Sequence, residues 1–210
     1  MEYLVTMTTH VPEGTRDERV DDVRAREAAN TRELAAQGHV LRLWRPPLAP
    51  GEWRSLGLFA AADGAELERV LASMPLRVWR TDEITELPPH PDDPGPGAAA
   101  KLRLSDGKAP LEFLVSFSPA IPAGTPAEEV AEARHREAES ASELARQGYL
   151  ARLWAPAAGP GPSPTLSLWR ADDEAQLQAI LQALPLHRWA TTQTTPLTPH
   201  PSDPAPHPSR

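Results

Sequence analysis

The chain has 210 residues, a formal net charge of −8 and no cysteine. The acidic balance excludes the basic footprint that nucleic acid requires. Without thiols there are no disulfides, no cysteine nucleophile and no thiolate metal site, which suits a reducing cytoplasm.

No apolar run approaches the ~20 residues of a membrane span, and the opening MEYLVTMTTH lacks the basic and long apolar regions of a secretory signal. A cytoplasmic protein with no membrane partner is expected. The 25 prolines crowd into LPPHPDDPGPG, APAAGPGPSP and TPHPSDPAPHPSR, stretches that read as linkers, loops and tail.

In chain order, residues 3–9 (YLVTMTT) alternate with the two-residue period of a half-buried strand. Residues 16–37 lack Gly and Pro, are rich in Ala, Glu and Arg, and predict a helix stopped by Gly38. Residues 39–44 and 53–59 predict two strands. Asp63 is placed to start a second helix over 64–74, which Pro75 ends. A fourth strand is expected over 77–87. The order β-α-β-β-α-β is that of the ferredoxin-like fold.

The pattern then repeats. Sliding the chain by 110 residues aligns EYLVTMTTHVPEGT with EFLVSFSPAIPAGT, RELAAQG with SELARQG and PHPDDP with PHPSDP, and about 40 of roughly 93 aligned positions are identical. The expected organisation is one domain over 1–94, a Pro/Gly-rich linker over 95–110, a second domain over 111–204 and a disordered tail over 205–210. The fold class is α+β. A ferredoxin-like sheet carries helices on one face only, so the two copies are expected to cover each other as an intrachain dimeric α+β barrel.

Helix 1 carries Val20, Val23, Glu27, Thr31 and Leu34 at three-four spacing, which puts them on one face. The second copy reads Val130, Ala133, Glu137, Ala141 and Leu144. A carboxylate therefore interrupts an inward stripe twice. Burial would raise its pKa toward that of a useful base. The alternative is a structural salt bridge, for instance from Glu27 to Arg24.

The order EYLVTM…VP, ELAAQGHVLRLWR, MPL and HP resembles the muconolactone Δ-isomerase family, over all of the first copy and, less closely, the second. The resemblance implies cofactor-free movement of a double bond in an unsaturated lactone, in aromatic catabolism. It also implies homo-oligomers, here a pentamer of pseudo-dimers, and a small-molecule lactone or organic acid as partner. Such chemistry needs a base, a cationic group for the oxyanion and a dry pocket.

The catalytic candidates are Glu27 and Arg42, with Glu137 and Arg152 in the second copy. Arg42 and Trp44, two apart in the second strand, share a face with Val40, while Leu41 and Leu43 take the other. Arg42 would hold a substrate carboxylate or a dienolate oxygen, or else pair with Glu27. The substrate-binding candidates are His39, Trp44, Arg45 and Trp53, with Tyr149 and Trp154. Trp44 and Trp154 are pocket walls or core. Arg45 sits at the pocket mouth or is a solvated edge arginine, and Ala155 replaces it in the second copy. His39 and Tyr149 are a second proton carrier or a pocket rim.

His90 and His200 recur in PHP but have no companion at metal-ligand spacing. The family resemblance implies instead that these segments pack as arms. No metal and no cofactor is expected. The competing readings are a non-catalytic small-molecule binding or assembly module and another dimeric-barrel enzyme, such as a small monooxygenase.

Overall fold

The computed structural model describes residues 1–96, 109–157 and 164–205. Most of the expected linker and nearly all of the expected tail lie outside these residues. The described residues form eight strands and four helices, in two compact units. Unit 1 comprises residues 1–87 with 198–210, and unit 2 comprises 88–197. Each unit is therefore one repeat plus the arm that follows the other repeat's last strand.

Unit 1 holds β1 (Glu2–Thr9), α1 (Asp17–Ala36), β2 (Val40–Arg45), β3 (Arg54–Ala60), α2 (Gly64–Ser73) and β4 (Arg80–Leu87). The strands pair antiparallel in the order β4-β1-β3-β2, the ferredoxin-like arrangement. Unit 2 repeats it with β5 (Leu111–Pro119), α3 (Ala127–Gln147), β6 (Leu150–Trp154), β7 (Thr165–Ala171), α4 (Glu174–Gln182) and β8 (Ala190–Pro199), in the order β8-β5-β7-β6. The last two residues of β8 belong to unit 1, where Thr198 and Pro199 pair with Arg45 and Trp44. Among the described residues, no helix is long and apolar enough to cross a membrane.

The helix stops have local causes. Gly38 and Gly148 take φ of +83° and +90°, the left-handed conformation that lets the chain leave α1 and α3. The N–H of His39 then returns to Leu34 O at 2.8 Å and that of Tyr149 to Leu144 O at 2.9 Å, satisfying carbonyls at the helix ends. Asp63 caps α2 by accepting from the Glu66 N–H at 2.8 Å, and Asp173 does the same for α4 with Gln176.

The core of unit 1 gathers Tyr3, Val5, Leu34, Phe59, Leu67 and Leu71 between helices and sheet. Full burial of such side chains is worth about 1.5–3 kcal/mol each. Gly57 is required by this packing, since a Cβ there would stand 2.3 Å from the Phe59 ring. Unit 2 has Ser167 and Trp169 at these two positions, and the Ser167 Oγ accepts the indole N–H at 2.7 Å.

Two departures from the sequence pattern shape the site. Pro75 does not simply end a helix, because Pro75–Trp79 forms a 3-10 segment and β4 starts only at Arg80. In β2 the register slips between Val40 and Arg42. This bulge brings Val40 and Leu43 together in the core, so Val40 leaves the face expected to hold Arg42 and Trp44.

Candidate functional site

Each unit contains a cavity against its long helix. That of unit 1 has a volume of about 220 Å³. Glu27 and Arg24 of α1, Leu43 and Arg45 of β2, Arg80 of β4 and His200 of the arm are among its lining residues.

Glu27 enters from the middle of the α1 stripe. One carboxylate oxygen accepts the Leu76 N–H at 2.8 Å, a bond that the 3-10 segment creates. The other accepts from Arg80 at 3.2 Å. Burial pushes the Glu27 carboxyl above its ordinary value of 4.5, against the lowering by the Leu76 N–H and Arg80, with Asp82 adding to the rise. The side chain of Arg80 is only 2% exposed, and that of Asp82 1%. Their contacts of 2.6 and 3.1 Å hold the guanidinium from a second side, and Arg77 also pairs with Asp82.

Arg24 lies over the Trp53 ring, 5.2 Å from its centroid. Neither Arg24 nor Arg45 has an ion-pair partner among the described residues. They do act on His200. Burial, Arg45 and Arg24 lower its pKa to about 4, against an opposing effect of Asp203. The ring is therefore neutral near pH 7. Its Nδ1 accepts the Ser202 N–H at 3.1 Å, which places the proton on Nε2.

The remaining sequence candidates stand elsewhere. Arg42 and Trp44 do not line this cavity. Arg42 donates to Asp203 through Nε at 3.2 Å and Nη2 at 3.0 Å, and its guanidinium lies 4.8 Å from the Trp44 ring centroid. The Leu43 N–H also bonds Asp203, at 2.9 Å. Buried Asp203 thereby fastens the arm that carries His200. Trp44 is buried at 1% exposure. His39 Nδ1 lies 3.1 Å from Ala60 O, away from the cavity lining. Arg45 and Trp53 do line it.

Unit 2 reproduces the frame. Asp93 takes Arg152 at 3.0 Å and the Leu153 N–H at 2.8 Å, and Arg152 lies 5.0 Å from the ring centroid of buried Trp154. Tyr149 packs against the unit 2 core. Glu137 accepts the Leu186 N–H at 2.9 Å, and burial raises its pKa. Ala190 and Thr192, however, replace Arg80 and Asp82.

Three contributors were absent from the sequence reading. Arg80 and Asp82 have no counterparts in the second copy, so the repeat comparison passes over them. Asp203 did carry a signal, because the duplicated motif retains Asp93 and Asp203 beside each histidine. Among the described residues, no group of three His, Cys, Asp or Glu side chains is placed to hold a metal ion.

The family model described as Muconolactone delta-isomerase matches the chain twice, over residues 1–93 and 111–203. The Muconolactone Delta-isomerase of Cupriavidus pinatubonensis (strain JMP 134 / LMG 1197) is 31% identical over 91 residues, which cover 43% of this chain and 96% of that protein. Muconolactone Delta-isomerase 1 of Acinetobacter lwoffii is likewise 31% identical over 91 residues, covering 43% of this chain and 92% of its own. A heme-binding protein from Thermus thermophilus matches 96% of this chain and 93% of its own, with a TM-score of 0.58 at 13% identity, a likeness of fold.

Proposed function

Because the chain belongs to the muconolactone delta-isomerase family, we propose that the unit 1 cavity shifts a double bond in a carboxylate-bearing unsaturated lactone by proton transfer through Glu27. The observation that carries this reading is the pair Arg24 and Arg45, two cations without ion-pair partners among the described residues, lining the same cavity as a partly buried carboxylate.

In the reaction, Glu27 takes a proton from carbon conjugated with the lactone carbonyl. The C–H electrons move into the conjugated system, and negative charge collects on the carbonyl oxygen as a dienolate. Glu27 then returns the proton at the far carbon, so atoms and charge balance without a co-reactant. Arg24 and Arg45 hold the substrate carboxylate. The Nε2–H of neutral His200 donates to the developing oxyanion, a role that a donor fixed in a small cavity fills without reorganisation. Arg80 is tied to Asp82 and Glu27, so its part is to position the base. Arg42 has its partner in Asp203 and takes no part in this chemistry. The same family reading includes self-association of the chain, which sedimentation measures.

The test is an ultraviolet assay of the purified full chain on muconolactone. Wild type is expected to turn over, and Glu27→Gln to lower kcat by roughly 10²–10⁴-fold, the usual worth of a general base. Turnover undiminished in Glu27→Gln overturns the assignment of the base, and no turnover by wild type overturns the substrate.

A further inference from the structure

The two cavities have the same frame and opposite electrostatics. In unit 2, Ala155 and Ala190 stand where unit 1 has Arg45 and Arg80. Arg134 is the only arginine lining the second cavity among the described residues, and two carboxylates, Glu137 and Asp92, line it as well. Of the two cations that draw an anion into the first cavity, only the counterpart of Arg24, Arg134, remains in the second.

What replaces it is apolar volume. The unit 2 cavity measures about 380 Å³, against about 220 Å³ in unit 1, and falls within the range of roughly 300–1,000 Å³ usual for small-molecule sites. Its wall includes Phe117, Leu150, Trp169, Leu184, Leu186 and Trp189. The Trp169 N–H is already satisfied by Ser167, so this indole asks nothing polar of a ligand.

We infer that the unit 2 cavity is a binding site for a neutral, ring-sized organic molecule carrying one hydrogen-bond acceptor, and that it does not take the anion of unit 1. Apolar surface drives entry, at about 25 cal/mol per Å² removed from water. Glu137 supplies the polar anchor. One of its oxygens is engaged by the Leu186 N–H, and no cation pairs with it among the described residues. Burial penalises its charged form, and a carboxyl that takes up the proton donates to a carbonyl or ether oxygen. An anion would meet Asp92 with only Arg134 to offset it. The inference concerns unit 2 alone and stands whether or not unit 1 turns over a lactone.

The probes are coumarin, a neutral ring lactone, and coumarin-3-carboxylate, its anionic counterpart, in equilibrium dialysis against the full chain at pH 7. Coumarin is expected to bind. Ala141→Trp, which fills the cavity from α3, is expected to weaken it at least about tenfold, or roughly 1.4 kcal/mol, without a matching loss for the carboxylate. The variant Ala155→Arg supplies the counterpart of Arg45, the anion-holding cation that unit 2 lacks. It is expected to shift the preference from coumarin toward the carboxylate by at least about tenfold, and it decides the matter should Ala141→Trp not fold. The inference is overturned by absence of coumarin binding, by equal weakening of both probes in Ala141→Trp, or by an unchanged preference in Ala155→Arg.

Discussion

The Arg80 guanidinium lies 3.2 Å from the Glu27 carboxylate while Asp82 holds it from the other side at 2.6 Å. Glu27 thus faces a cation whose charge is shared with a second buried acid. The arrangement explains how the carboxyl keeps a raised pKa beside an arginine, since burial and Asp82 act against the pair. A base next to an unshared cation would be held ionised and weak.

Arg80→Ala leaves buried Asp82 with only Arg77 as its cationic partner. Removal of one member of a buried pair costs about 3 kcal/mol or more. Asp82→Thr added to Arg80→Ala reproduces the unit 2 pair, Ala190 and Thr192, and is expected to recover most of that loss. Urea denaturation of both single variants and the double variant measures the coupling. Strict additivity would show that the two residues do not act together.

The pH dependence of Glu27 has a definite sign. Its folded pKa lies above the ordinary 4.5, so the native state binds the proton more tightly than the unfolded chain does. The group contributes stability below pH 4.5 that is lost as pH rises through its folded pKa. Activity runs the other way, because the base works only when ionised. The acid limb of kcat/KM is expected above the usual carboxylate range. Stability curves of Glu27→Gln and wild type from pH 4 upward should converge at the acid end and separate in favour of the variant as pH rises. Parallel curves would contradict the raised pKa.

The parts of this arrangement differ in how readable they were. The α1 stripe placed Glu27 inward because helical periodicity survives in both copies, and Val23, Thr31 and Leu34 on that stripe are buried. The β2 alternation misled at Val40, because VLRLW is as regular as an unbulged strand and a bulge leaves no mark in it. Arg42, next in sequence to core residue Leu43, finds Asp203 rather than Glu27. Arg80 was hidden for another reason. A proline after a helix signals a stop, not a 3-10 segment that moves the strand start by three residues and brings the Leu76 N–H and Arg80 to one carboxylate.

His200 provides a second titration, of opposite sense to that of Glu27. Burial and the two arginines depress its pKa from 6.5 to about 4. The neutral ring therefore contributes stability that is complete above pH 6.5 and is lost as pH falls toward 4. In His200→Asn the amide oxygen takes over as acceptor for the Ser202 N–H, and nothing at that position titrates. Its melting temperature is expected to fall less than that of wild type between pH 6.5 and 4. An equal fall would place the titration elsewhere.

Asp203 is the fastening on which the arm depends, and its side chain is 1% exposed. It accepts from two nitrogens of Arg42 and from the Leu43 N–H. Asp203→Ala removes the buried carboxylate that Arg42 and the Leu43 N–H share, at a cost of about 3 kcal/mol. His200 reaches the cavity from the same arm and is anchored only three residues away, so loosening the arm removes the oxyanion donor as well. Asp93→Ala unfastens the matching arm of unit 2, with no His200 on it. Both variants are expected to lose similar stability in urea, while only Asp203→Ala lowers kcat on the lactone substantially. Equal losses of activity would show that the arm supports the fold in general and not the unit 1 cavity.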